Sequence, residues 1–191
     1  MDFSRPQQRR VSGRPTDGEI AVYAKPDLAQ VAGDDAVGAL VAQRRETVLL
    51  VESLDEKAVK GLTYAPGKWT LKEVLGHLAD DERVFAYRAL CISRGDARPL
   101  PSFDERAYVA AGGFEGRSLA SLLADYRAVR HSTIALLSGL TPEAWLRRGV
   151  VTDYTASVRG LAFHIAGHEL RHLRALREKY LRKPTPHGAL G

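Results

Sequence analysis

The chain has 191 residues, 45% hydrophobic and 27% charged, with a formal net charge of +5. These are the proportions of one soluble globular domain with a well-buried core. They exclude a membrane-spanning protein, since no stretch approaches the roughly 18 apolar residues of a span, and Cys91, as the one cysteine, excludes an internal disulfide and a cysteine metal cluster within the chain.

Residues 1–33 are rich in proline, glycine and polar side chains and show no sustained period, so they are expected to form an extended or partly disordered lead-in. Asp34-Asp35 then offers a helix N-cap, and Val37, Leu40, Val41, Arg44, Val48 and Val51 follow at helical spacing. Pro66-Gly67 breaks the chain. Thr70-Leu71-Lys72-Glu73 has the form of a capping box, which predicts a second helix over about 71–93 with Val74, Leu78, Val84, Phe85 and Leu90 on its inner side. A loop rich in proline, glycine and charge runs from Gly95 to Gly116, long enough to cross over or to help cover a site. Ser118 caps a third helix to about Leu137, and Thr141-Pro142-Glu143 starts a short one with proline at its tolerated first position. After a turn over 149–155, a last helix is expected to reach about Leu181, before Pro184. No strand-like alternation, internal repeat or low-complexity tract stands out. The expected architecture is all-α: a four-helix bundle over 34–183 with one long connection, followed by a tail over 184–191.

Within that last helix stands His168-Glu169-Leu170-Arg171-His172, of the form H-E-x-x-H. Positions four apart differ by only about 40° around a helix, so both imidazoles can reach one divalent ion. Zinc proteases use this string for two ligands and a general base. Their context is missing here. One class needs a third histidine six residues after the second and a glycine three after it, where this chain has Glu178 and Ala175. Another takes a glutamate from a later helix, and the 19 residues after His172 offer the rest of this helix and a tail with Pro184, Pro186 and His187. A zinc protease is therefore disfavoured, and the third ligand is sought upstream. His77 is the best candidate, flanked by Val74 and Leu78 in the second helix, although taken alone it reads rather as a hydrogen-bonded core histidine. His164, His168 and His172 recur every four residues, so His164 either joins the ligand pair or packs beside the site. Three imidazoles leave coordination positions open, as catalytic sites do.

The run Pro66-Gly67-Lys68-Trp69-Thr70-Leu71-Lys72-Glu73-Val74-Leu75-Gly76-His77-Leu78-Ala79-Asp80, with Phe103-Asp104-Glu105 and Ala166-Gly167-His168-Glu169-Leu170-Arg171-His172, resembles the signature of the DinB/YfiT-like superfamily. The likeness covers roughly 19–181. It implies an antiparallel four-helix bundle, often a homodimer. It also implies a metal site in which the ligand positions fall on His77, His168 and His172, with His164 at a position that is usually not a ligand. Members are described as metal-dependent hydrolases or as transferases and isomerases that use low-molecular-weight thiols. In such proteins a glutamate at the position of Glu169 does not signify a protease.

The resulting expectation is a metal-dependent enzyme in which a divalent ion activates a thiol or water against a small electrophilic substrate. Zinc or nickel suits the three imidazoles, as do iron and manganese, and a low-molecular-weight thiol is the expected cosubstrate. Asp80, Asp81 and Glu169 either orient an imidazole or move a proton, or lie on a solvated helix face, where acidic side chains mostly sit. The alternative is a non-catalytic dimeric metal-binding bundle acting in a stress response. Trp69, Trp145 and Cys91 read as packing residues. Nucleic acid is not an expected partner. Six basic residues against two acidic ones between Glu169 and Lys183 sit at a helix C-terminus, where cations complement the helix dipole, and Arg5 to Arg14 reads as a tail. The sequence Met1–Pro6 lacks the apolar core of a signal peptide, so a cytoplasmic location is expected.

Overall fold

The computed structural model describes residues 13–181. The expectations for the basic stretch before Gly13 and for the tail with His187 lie outside the described residues.

Each long helix starts where a side chain can accept its unpaired first amides. Asp35 accepts from Gly38 N at 2.9 Å and opens α1 (Ala36–Glu52). Thr70 and Glu73 complete the capping box and open α2 (Leu71–Ser93). Ser118 opens α3 (Leu119–Ser138), and Ser157 opens α4 (Val158–Ala175), which continues through one π-helical turn, Leu176–Tyr180. The short helix Pro142–Leu146 is capped by Thr141, and its Trp145 is buried in the core.

These four helices form a bundle in which α1 and α2 occupy opposite corners, each packed against both α3 and α4. The starts of α2 and α3 meet in one apolar cluster (Leu71, Val74, Leu75 with Leu119, Leu122, Leu123) and their ends in another (Ala89, Ile92 with Ile134, Leu137). They therefore run parallel, and the segment 94–118 carries the chain back along the bundle. That segment is more than a loop: Asp104 caps a helix over Glu105–Ala111, and Phe114 begins a 3-10 turn. Phe114 lies flat on α2 at Gly76, where an added Cβ would stand 2.2 Å from its ring. α2 and α4 run antiparallel, as do α1 and α3.

Two further parts differ from the expectation. The segment after Leu146 forms an antiparallel hairpin, β1 (Arg148–Val151) with β2 (Tyr154–Ser157), and Leu100 bonds to its edge through Val150 and Thr152. Its turn is Thr152-Asp153, without the Asn-Gly or Asp-Gly that marks a tight hairpin, and Thr152 takes the left-handed φ of 54° itself. The second part is the lead-in. Val22–Ala24 and Lys25–Leu28 form short helical turns, and the latter packs on α4. Arg14 clamps this stretch by donating to the carbonyls of Leu28, Val31 and Gly33. Its backbone comes so close to α4 that a Cβ on Gly167 would stand 2.3 Å from Asp27 O.

Between the two apolar clusters lies a layer of buried polar side chains: Gln43 and Thr47 from α1, His77, Asp81 and Glu82 from α2, Arg130 and Thr133 from α3, and His168 and Glu169 from α4. This layer turns the inner face of α1 away from its apolar stripe, so that Val41 is exposed while Gln43 and Thr47 are buried. No helix among the described residues is long and apolar enough to cross a membrane.

Candidate metal centre

α2 and α4 bring His77, His168 and His172 together, all buried, with one ligand atom from each lying within 4.8 Å of the others. His77 Nε2 and His168 Nε2 are 3.1 Å apart. Two nitrogens bound to one zinc at 2.0–2.1 Å in a tetrahedron stand about 3.4 Å apart, so the observed spacing suits a shared ion. His172 Nε2 is buried and has no hydrogen-bond partner among the described residues. A buried imidazole nitrogen left bare is costly unless something binds its lone pair.

Electrostatics favour the same reading. Burial drives the His77 imidazole below its ordinary value, against the opposing pull of Asp81. Burial also drives His168 well down, helped by the neighbouring histidines. Burial, then Arg171 and His77, bring His172 to about 3. All three are therefore neutral at pH 7 and offer lone pairs, the state a divalent metal requires. Trp69 covers the outer side of His77, ring to ring at 4.7 Å. The residues present thus fit an ion with three nitrogen donors.

Asp81 and Glu169 are both buried, against the expectation of a solvated face, and they do different things. Asp81 Oδ2 lies 3.3 Å from His168 Nδ1, the long edge of hydrogen-bond distance, and 3.6 Å from His164 Nε2. A proton held on Nδ1 toward that carboxylate leaves Nε2 free to bind metal. Glu169, although adjacent in sequence to His168, points about 100° away around α4. Its Oε1 accepts from Thr47 Oγ1 and Tyr126 Oη, each at 2.5 Å, and Arg130 Nη1 lies 2.7 Å from its Oε2. Arg130 also donates to Glu82 and to the Leu40 carbonyl. Burial opposes the charge of Arg130, but Glu169 and Glu82 outweigh it and raise its pKa. Glu169 is thus engaged by two hydroxyls at Oε1, while its Oε2 makes no hydrogen bond and lies at ion-pair distance from Arg130. Asp80 is half-buried and faces Arg83, 3.1 Å away, outside the histidine cluster. His164 does not reach the three-nitrogen cluster; it stacks on Phe85, centroids 3.8 Å apart, and neither ring nitrogen has a hydrogen-bond partner among the described residues.

A cleft of about 1150 Å³ opens beside the triad, with His168, Asp81 and His164 in its wall. Its other sides come from the lead-in (Tyr23, Asp27), from Arg88 and Phe103, and from the hairpin turn. Sequence reasoning passed over Arg88. The available signal was its spacing, 11 residues after His77 and seven after Asp81, which places all three on one stripe of α2. Cys91 is half-buried and packs against the core.

A four-helix bundle carrying three buried histidines beside an open cleft defines a class of helical proteins with a candidate divalent-metal site. The family model of the DinB superfamily matches residues 39–176, and the chain belongs to that superfamily. Among solved structures, YfiT from Bacillus subtilis, described as a probable metal-dependent hydrolase with an unusual four-helix bundle topology, is 16% identical. That match covers 87% of this chain and 91% of YfiT, with a TM-score of 0.63. A mycothiol-dependent maleylpyruvate isomerase is 10% identical over 76% of this chain with a TM-score of 0.62, and the match spans 61% of the isomerase. At these identities the likeness establishes the fold. No curated protein matches the chain in sequence.

Proposed function

We propose that this chain is a metal-dependent enzyme in which His77, His168 and His172 hold one divalent ion, zinc or nickel, and in which a thiol or water is activated against a small electrophilic substrate. The observation that carries the reading is the buried, neutral, three-nitrogen cluster with the bare His172 Nε2, opening beside a cleft large enough for a small molecule. A bound divalent ion lowers the pKa of a thiol or water and so supplies a nucleophile at neutral pH. The protein's own groups do the rest. Asp81, 3.3 Å from His168 Nδ1, is the group that would hold that ring's tautomer. Trp69 keeps water from the outer face of His77. The aromatic walls of Phe85, Phe103 and Tyr23 confine the substrate. The cleft favours an enzyme over a purely structural metal bundle, since a structural site gains nothing from an opening of this size. The resemblance to thiol-dependent relatives supports a low-molecular-weight thiol as cosubstrate, and a cytoplasmic homodimer belongs to the same reading.

Elemental analysis of the purified protein tests the metal. About one divalent ion per chain is expected, lost in His77→Ala and in His168→Ala. A metal-free parent, or variants that keep full occupancy, would sink the assignment. Turnover of a panel of electrophiles, with and without low-molecular-weight thiols, then separates transfer from hydrolysis.

A further inference from the structure

The cleft extends beyond the histidines, and its far end has a chemistry of its own. Arg88 lies two helical turns past Asp81 on α2, about 10 Å along the axis. Its side chain lines the cleft although the residue is only 3% exposed. The guanidinium sits over the ring of Phe85 at 4.7 Å and that of Phe103 at 5.7 Å. Its Nη2 donates to Pro101 O at 2.7 Å. No carboxylate among the described residues lies within ion-pair distance of it. The other cation of the wall, Arg171, is neutralised by both oxygens of Asp27. Of the four acidic residues in the wall, Asp27 is thus committed to Arg171, Asp81 faces the imidazoles of His168 and His164 at the other end, and Glu105 and Asp153 are exposed.

A guanidinium has five N–H donors in a planar fork that matches a carboxylate. Burying one without a counter-ion is costly, and two aromatic faces and one carbonyl offset only part of that cost. We propose that Arg88 is an anion subsite, and that the ligand of the cleft is a small carboxylic acid whose carboxylate pairs with Arg88 while its reactive end lies at the histidines. The inference rests on the metal reading only for the orientation of the ligand. The carboxylate belongs either to the electrophile or to the thiol cosubstrate, and both present the same group to Arg88.

Calorimetric titration of the full-length protein tests this with two acid and amide pairs: 3-phenylpropionate against 3-phenylpropanamide, and 3-mercaptopropionate against 3-mercaptopropanamide. Each is run on the protein as purified and after metal removal by chelation. The acid is expected to bind about tenfold or more tightly than its amide, in stripped protein as well. A preference in the phenyl pair places the carboxylate on the electrophile, and one confined to the mercapto pair places it on the thiol. Arg88→Gln is expected to abolish the preference, and Arg171→Gln to leave it intact. Should Arg88→Gln not fold by circular dichroism, Arg88→Lys serves instead: it keeps the charge but loses the fork, so acid affinity is expected to fall severalfold with amide affinity unchanged. Equal binding of acid and amide in both pairs overturns the subsite. So does a preference that disappears with the metal, which would place the carboxylate on the ion, or one unaltered in the Arg88 variants. The metal reading fails separately, by elemental analysis.

Discussion

α4 separates two buried polar regions that share neighbouring residues and have opposite characters. On one face Glu169 meets Arg130, Tyr126 and Thr47, and Arg130 also binds Glu82, so two carboxylates converge on one guanidinium, with Glu169 Oε2 held by the ion pair alone. On the other, His172 Nε2, both nitrogens of His164 and Asp81 Oδ2 have no hydrogen-bond partner among the described residues, the carboxylate oxygen standing 3.3 Å from His168 and 3.6 Å from His164. The side chains of both regions are buried, so burial alone does not distinguish a structural from a functional polar group. Satisfaction does. A network that carries its own counter-charge holds the fold, whereas open valence beside a cleft is a place for something to bind.

Arg130→Met should have the largest effect. It strands Glu82 and Glu169 as buried charges and is expected to cost about 3–5 kcal/mol in urea denaturation. A loss below about 1 kcal/mol would mean that Arg130 does not hold the two carboxylates as described. Glu169→Gln keeps the shape and removes one charge, so it should cost about 1–3 kcal/mol and leave metal content unchanged. A folded Glu169→Gln protein that loses its metal would erase the distinction between the two faces. Asp81→Asn probes the open side: metal affinity is expected to fall about 10–100-fold with little change in metal-free stability.

The smallest effect concerns Glu19, which ties the lead-in to α4 through Arg159. Burial pushes its carboxyl up, but hydrogen bonds from Arg159 and Thr16 outweigh this and hold it at about 2. A depressed carboxyl stabilises above its unfolded value of 4.5 and loses that contribution as pH falls through about 2. The stability difference between the parent and Arg159→Gln should therefore be full above pH 4.5 and shrink toward pH 2. A difference independent of pH in that window would show that the ion pair does not form.

The sequence exposed the helices best where short-range chemistry decides them. Thr70 with Glu73, Ser118, and Thr141 with Pro142 each announce a helix start within four residues. His168 and His172 were legible for the same reason, by their spacing on one helix. What stayed hidden depends on partners far along the chain. Glu169 read as exposed because its cation, Arg130, lies 39 residues upstream on another helix, and Gln43 and Thr47 broke the apolar stripe of α1 to serve α4, 123 and 122 residues away. The hairpin was missed because Thr152 takes by strain a conformation that glycine or asparagine usually signals.

Gly167 has a consequence for how this protein can change. The lead-in meets α4 there through backbone atoms, Asp27 O and Leu28 N, and the next residue along is His168. The path of the cleft wall is therefore fixed by main chain, while the side chains it offers to the cleft, such as Val22, Tyr23 and Pro26, make no such demand. Mutation can exchange those side chains and so alter what the cleft accepts without disturbing the histidines behind it. A methyl group at Gly167 could not do so. What the cleft accepts is thus the freely adjustable property of this architecture, and the geometry of the three nitrogens is the protected one.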